Sequence, residues 1–131
     1  MKKKGILNKQ LAGLIAGLGH KDTFLIGDAG MPIPPGVEIV DLALTGGVPT
    51  FRQVLTAVLE EEAPEGYILA DEIKEANPEL HKFIKESLPN IEPEYLPHDE
   101  LKKTTANCRF AIRTGEFTPY PNIILRAGVV F

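Results

Sequence analysis

Apolar residues recur at helical spacing over Leu11, Leu14, Ile15 and Leu18, and Asn8 stands where an N-cap would. Gly17 and Gly19 end this helix, since glycine tolerates the left-handed turn that follows many helices. The period then changes. Thr23 to Gly27 is an apolar, β-branched run of the kind that forms a strand buried on both faces, and Met31 to Gly36 is a proline-rich loop. Val37 to Leu44, with Asp41 inside it, predicts a second strand. Thr45-Gly46-Gly47-Val48-Pro49 predicts a turn. Thr50-Phe51-Arg52-Gln53 then has the form of a capping box, followed by a stripe of Phe51, Val54, Leu55, Val58 and Leu59. Gly66 to Ala70 is a third strand. Asn77-Pro78 starts another helix, Asn as cap and Pro in the first turn, with Leu80, Phe83, Ile84 and Leu88 inward. Ile91 to Leu96 is a fourth strand, moved toward an edge by Pro93. His98 to Ala106 is a short helix with acids first and lysines later, as the helix dipole favours. Cys108 to Arg113 and Asn122 to Arg126 are the last strands, joined by the loop Thr114 to Pro121, and Gly128 to Phe131 is an apolar terminus.

Strands and helices alternate through most of the chain, and only the last two strands lack a long helix between them. This predicts an α/β fold: one domain over residues 1–131, a three-layer sandwich with a mixed central sheet and helices on both faces. The 131 residues are enough to bury a core without staples. Apolar and charged fractions near the globular average argue against disorder. A net charge of -4 gives no electrostatic reason to expect nucleic acid as a partner. The single cysteine, Cys108, has no partner in the chain and fits a reducing compartment. The opening Met-Lys-Lys-Lys leads into a helix-patterned segment interrupted by Asn8, Lys9 and Gln10, with no small-residue cleavage site after it, so a signal peptide is not expected. No stretch approaches the length of a membrane span. The expectation is a cytoplasmic protein without membrane insertion. Eleven prolines and twelve glycines imply many stiff turns, where sites tend to sit.

Cofactor and nucleophile motifs are absent. No G-x-G-x-x-G follows a strand, no Walker motif exists, and no G-x-S-x-G elbow appears. His20, His81 and His98 have no two-ligand spacing, so neither a metal nor another cofactor is expected. Thr45-Gly46-Gly47 before a capped helix is either an anion cradle or, more simply, a tight turn. His20 follows a helix stop, where its charge is favoured by the dipole, and that is a sufficient structural account. Asp28 ends a buried strand, and in open α/β sheets ligands collect at the carboxyl ends of strands; its plainer reading is a turn-forming aspartate before Gly30. Only a short strand separates the loops of His20 and Asp28, which suggests that the two meet. His81 points away from its helix's stripe and reads as solvated surface. His98, after a proline, reads as a cap. Tyr120 and Asn122 flank Pro121 in a stiff segment, suited either to hydroxyl recognition or to the start of a strand.

Several stretches together resemble the D-ribose pyranase family, which is related to fucose mutarotase. They are Met1 to Asn8, Leu18-Gly19-His20, Gly27-Asp28-Ala29-Gly30-Met31-Pro32-Ile33-Pro34, Leu44-Thr45-Gly46-Gly47-Val48-Pro49-Thr50-Phe51, Pro97-His98 with Leu101-Lys102, and Thr114 to Leu125. They run in order over essentially the whole chain, and Pro121 stands where the family pattern has alanine. The resemblance implies a cofactor-free sugar-ring isomerase that interconverts the pyranose and furanose forms of β-D-ribose and serves ribose uptake and phosphorylation by ribokinase. It implies His20 as the proton donor and Asp28, His98, Tyr120 and Asn122 as sugar-binding residues. It further implies a ring-shaped homodecamer with sites in clefts between subunits. Two other functions stay open: a non-catalytic ribose-binding or regulatory component of ribose transport, and a mutarotase for fucose or a related sugar.

Overall fold

The computed structural model describes residues 1–131. A six-stranded sheet forms its middle layer. The strands are β1 (Thr23–Gly27), β2 (Glu38–Asp41), β3 (Pro64–Ala70), β4 (Glu94–Leu96), β5 (Phe110–Arg113) and β6 (Ile123–Ala127). Their order across the sheet is β2-β5-β1-β6-β3-β4. Neighbours run parallel except where β6 is inserted antiparallel between β1 and β3. The sheet is therefore mixed, and the chain is an α/β domain.

Alternation along each strand divides the core into two faces. Phe24, Ile26, Tyr67, Leu69, Phe110, Ile112, Ile123 and Leu125 point to one face. There they meet α1 (Lys9–Ala16), α2 (Phe51–Leu59), α3 (Ile73–Ala76) and α4 (Pro78–Ser87) through Leu11, Leu55, Ile73 and Ile84, among others. Phe24 and Phe110 stack at 4.9 Å between ring centroids, so truncating either ring costs about 3–5 kcal/mol in lost burial and cavity. Leu25, Ala111 and Ile124 point the other way, to Leu101 of α5 (His98–Thr104) and to Met31. Helices thus cover both faces unequally, four against one, and the loop 31–37 completes the thinner layer.

Local chemistry explains most element ends. The Asn8 side chain caps α1 by accepting the Leu11 N–H at 2.9 Å, and the Thr50–Gln53 capping box closes on both sides. Four details differ from the sequence expectation. Gly17 ends α1 in right-handed geometry, and the left-handed residue of that loop is Lys21, at φ 72°. The second strand shrinks to Glu38–Asp41, because it is an edge where only Val40 is buried. Asn77 does not cap α4; its amide crosses to the loop before β6 instead. His81 is half-buried rather than solvated, with Nε2 at 2.6 Å from the Tyr95 hydroxyl. Burial, then Lys85 and Lys74, hold its pKa below the ordinary histidine value.

No helix is long and apolar enough to cross a membrane. No group of three His, Cys, Asp or Glu side chains could hold a metal ion.

Candidate active site

Because β1, β2, β3, β4 and β5 are parallel, their carboxyl ends collect at one rim of the sheet, and β6 begins there. This rim carries Asp28, His98, Tyr120 and Asn122. Asp28 is held from two sides. Its Oδ1 accepts the Gly30 N–H at 2.8 Å, as the turn reading expects, and its Oδ2 accepts from Asn122 Nδ2 at 3.0 Å. Asn122 Oδ1 in return accepts the Asp28 N–H at 3.0 Å. Asn122 is 0% exposed, so in the single chain its amide serves Asp28 and does not reach the cleft. Gly27 makes room for it, since a Cβ there would lie 3.0 Å from Asn122 Oδ1.

His98 opens α5. Its N–H is taken by Glu72 Oε1 and Oε2 at 3.1 and 3.0 Å, so it is the first helical residue and not the cap. The imidazole packs edge-on against Tyr120, with centroids 5.0 Å apart, and its buried Nδ1 has no hydrogen-bond partner. Buried polar atoms are rarely left so, and functional sites are among the places where they are. Tyr120 adopts φ 56°, which a residue with a Cβ rarely does. Strain of this kind, about 1–3 kcal/mol, persists where the surroundings hold it. Here Asn77 Nδ2 donates to Thr118 Oγ1 and Pro119 O, and Thr118 donates to Glu116 Oε2. Glu116 Oε1 also accepts the N–H of Phe51 at the start of α2. Arg113 ties down the other wall, donating from Nε to Ala29 O at 2.9 Å and from Nη1 to Asp41. These groups enclose a cleft of about 640 Å³ lined by Asp28, His98, Arg113, Glu116 and Tyr120, among others. Tyr120 also borders a second hollow of about 780 Å³ beside Asp71 and Glu72.

The Thr45–Pro49 segment is the tight turn, not an anion cradle. The Gly47 N–H bonds Gly115 O at 2.6 Å, and the Val48 N–H bonds Thr45 O.

His20 lies elsewhere. It precedes β1, while Asp28 follows it, so five residues of extended chain, about 16 Å, separate the two loops. A strand delivers its two ends to opposite rims of a sheet, and the sequence expectation that these side chains meet within one chain is overturned. His20 Nε2 instead pairs with Glu65 Oε2 at 2.7 Å, and Arg126 Nε lies 3.5 Å from Glu65 Oε1. One chain thus holds a cleft lined by three of the expected residues, Asp28, His98 and Tyr120, with Asn122 buried behind Asp28, and a separate histidine–carboxylate pair.

Residues 1–130 match the model of the RbsD / FucU transport protein family. The chain belongs to that family. Among its relatives, D-ribose pyranase of Limosilactobacillus fermentum is 52% identical over 131 residues, covering 100% of both chains. D-ribose pyranase 2 of Streptomyces griseus is likewise 52% identical with 100% coverage of both. The solved structure of Bacillus subtilis RbsD complexed with D-ribose superimposes with a TM-score of 0.96 at 50% identity, again over 100% of both chains. The fold of that protein is thus matched along the whole of this chain.

The supporting groups of this family member were not foreseen. Glu65, Arg113, Glu116 and Asn77 reach partners 41 to 84 positions away, beyond any local motif. The Asp28–Gly30 and Glu116–Thr118 contacts are local, each between residues two apart.

Proposed function

We propose that this chain is a D-ribose pyranase, interconverting the pyranose and furanose forms of β-D-ribose. The observation that carries the reading is the full-length match, 50% identical at a TM-score of 0.96, to a protein whose structure was solved with D-ribose. The rim cleft agrees with it chemically: an oriented carboxylate, a phenol and an imidazole suit a ligand made mostly of hydroxyls.

Opening the ring breaks a hemiacetal. The anomeric hydroxyl loses its proton, the bond from C1 to the ring oxygen breaks, and the ring oxygen gains a proton. The aldehyde recloses through a different hydroxyl. General acid–base groups suffice, and histidine exchanges protons near neutral pH without extensive tuning. In this reading His20 is the acid. Asp28, His98 and Tyr120 hold hydroxyls, and Asn122 fixes the Asp28 carboxylate.

Since His20 and the cleft occupy opposite rims, His20 serves the cleft of a neighbouring subunit. Such a contact is head-to-tail, and head-to-tail contacts close into rings when the rotation permits. The exposed Phe117, Leu44 and Val48 near the cleft, and Val129, Val130 and Phe131 at the opposite end, are apolar surface that such a contact could cover. The reading extends to the decameric ring, to a cytoplasmic location and to service between a ribose transporter and ribokinase.

Saturation-transfer NMR on ribose tests the activity. Added protein should accelerate exchange between pyranose and furanose signals, and a folded His20→Ala variant should not. Ribose affinity without acceleration would favour a non-catalytic binding component. Faster exchange for fucose than for ribose would favour a mutarotase. Full acceleration by His20→Ala would remove His20 from the mechanism.

A further inference from the structure

Glu65 is the second residue of β3 and lies outside the cleft, yet it makes the shortest contact of the proposed acid. Its Oε2 is 2.7 Å from His20 Nε2, and its Oε1 faces Arg126 Nε at 3.5 Å. Arg126 sits on the neighbouring strand in register with Gly66 and reaches on to Glu94 Oε1 at 3.6 Å. Gly66 is what lets the guanidinium lie there, since a Cβ at that position would collide with it. The carboxylate is therefore anchored on the sheet through one oxygen and on the imidazole through the other. The charged groups around it are His20, Lys21 and Arg126, all cationic or able to become so. Hydrogen bonding from His20 first, then the charges, hold the Glu65 carboxyl below its ordinary range.

We propose that Glu65 is the positioning residue for His20, and that imidazole Nδ1 is the atom that exchanges its proton with the sugar. The inference rests on the reading of His20 as the acid. A carboxylate can only accept, so it selects the proton on Nε2. In the imidazolium, Nε2–H remains on Glu65 and Nδ1–H faces the substrate. On ring opening the electron pair of the C1–oxygen bond goes to the ring oxygen, which takes the Nδ1 proton. The anomeric O–H gives up its proton to solvent or to a cleft carboxylate, and its electrons complete the aldehyde. His20 is then the neutral Nε2–H tautomer, still bonded to Glu65, with the Nδ1 lone pair ready to receive the proton of the hydroxyl that recloses the ring. No electrons are gained or lost overall.

The test compares Glu65→Gln and Glu65→Ala with His20→Ala. In protein carrying 15N-labelled histidine, the neutral His20 ring should be the Nε2–H tautomer in the wild type and a mixture of both tautomers in Glu65→Ala. Ribose exchange at saturation should fall about tenfold in Glu65→Ala with KM little changed, as expected for losing the orientation of an acid and not a sugar contact. Glu65→Gln, which keeps an acceptor oxygen, should lie between. In the wild type the Glu65 carboxyl should titrate lower than in His20→Ala. Unchanged tautomer populations, or an unchanged exchange rate, in Glu65→Ala would overturn the inference. If His20→Ala is inactive in the same series, the proposed function survives that failure. If His20→Ala is fully active, His20 leaves the mechanism and the inference falls with it; only a wild-type protein that fails to accelerate ribose exchange would overturn the function.

Discussion

Two inactive variants should restore each other if His20 and the cleft come from different subunits. His20→Ala removes the proposed acid and leaves the cleft intact. Asp28→Asn keeps His20 and damages the cleft, because an amide has one acceptor oxygen where the carboxylate uses two, one for the Gly30 N–H at 2.8 Å and one for Asn122 Nδ2 at 3.0 Å. That mismatch should lower stability by about 1–3 kcal/mol, the usual effect of an unsatisfied buried group, and leave a folded domain. Each head-to-tail site draws a histidine from one subunit and a cleft from the next. In a random equimolar mixture, a site is whole only when an Asp28→Asn subunit supplies the histidine and a His20→Ala subunit supplies the cleft. The chance is one half times one half, so roughly a quarter of sites should be active. The variants would be unfolded together, refolded and assayed by saturation transfer on ribose, with each variant refolded alone as the control. Zero recovery in a mixture shown by native mass spectrometry to contain mixed assemblies would refute the shared site. Recovery well above a quarter would refute random exchange of equivalent subunits.

Asn122→Ala removes both Asn122 contacts to Asp28 and leaves only that with the Gly30 N–H, so it should cost about 1–3 kcal/mol by urea unfolding and reduce exchange at least as much as it raises KM; an active, undiminished variant would show that Asp28 needs no such support. Glu62 is buried, its two carboxylate oxygens have no partner, and burial pushes its pKa to about 7. Its folded pKa lies above the unfolded value of 4.5, so the unfolded chain binds fewer protons between them and stability declines as pH rises through that window. Glu62→Gln should match the wild type below the window and exceed it at pH 8 by about 1–2 kcal/mol after allowance for solvent screening; parallel stability curves for the two proteins would refute this. Lys21→Gly should stabilise by about 0.5–1 kcal/mol, since glycine removes the left-handed strain at φ 72° but loses more chain entropy on folding. A fall in thermal midpoint would contradict that balance.

How much of this was legible in the chain depended on the distance between interacting residues. The Thr50–Gln53 box and the Asn8 cap close over three residues, and both were readable. The alternation of Phe24, Leu25 and Ile26 between two faces follows from strand geometry once a buried strand is accepted. Helix α3 spans only Ile73–Ala76, too short to show a period. His81 was misplaced because its partner, Tyr95, is 14 residues on, across a helix end and a loop. The Glu65–His20 pair depends on which strands become neighbours, and no local pattern encodes that order. The separation of His20 from Asp28 is different in kind. It was implicit in placing a strand between them, because a strand's ends lie at opposite rims. The expectation of a meeting within one chain considered only nearness in sequence.

Strand β6 reaches from one rim to the other. At its start it follows Tyr120 and Asn122, and near its end it carries Arg126 beside Glu65. If sites are shared between subunits as proposed, this five-residue rod belongs to two reaction centres at once. A lesion in it, such as a proline at Ile124, would silence both the cleft of its own subunit and the histidine lent to the next. Activity of a mixed ring would then fall as the square of the fraction of sound subunits. A modest supply of such a chain in a cell would act as a dominant poison, although nothing in it binds, blocks or competes for the sugar.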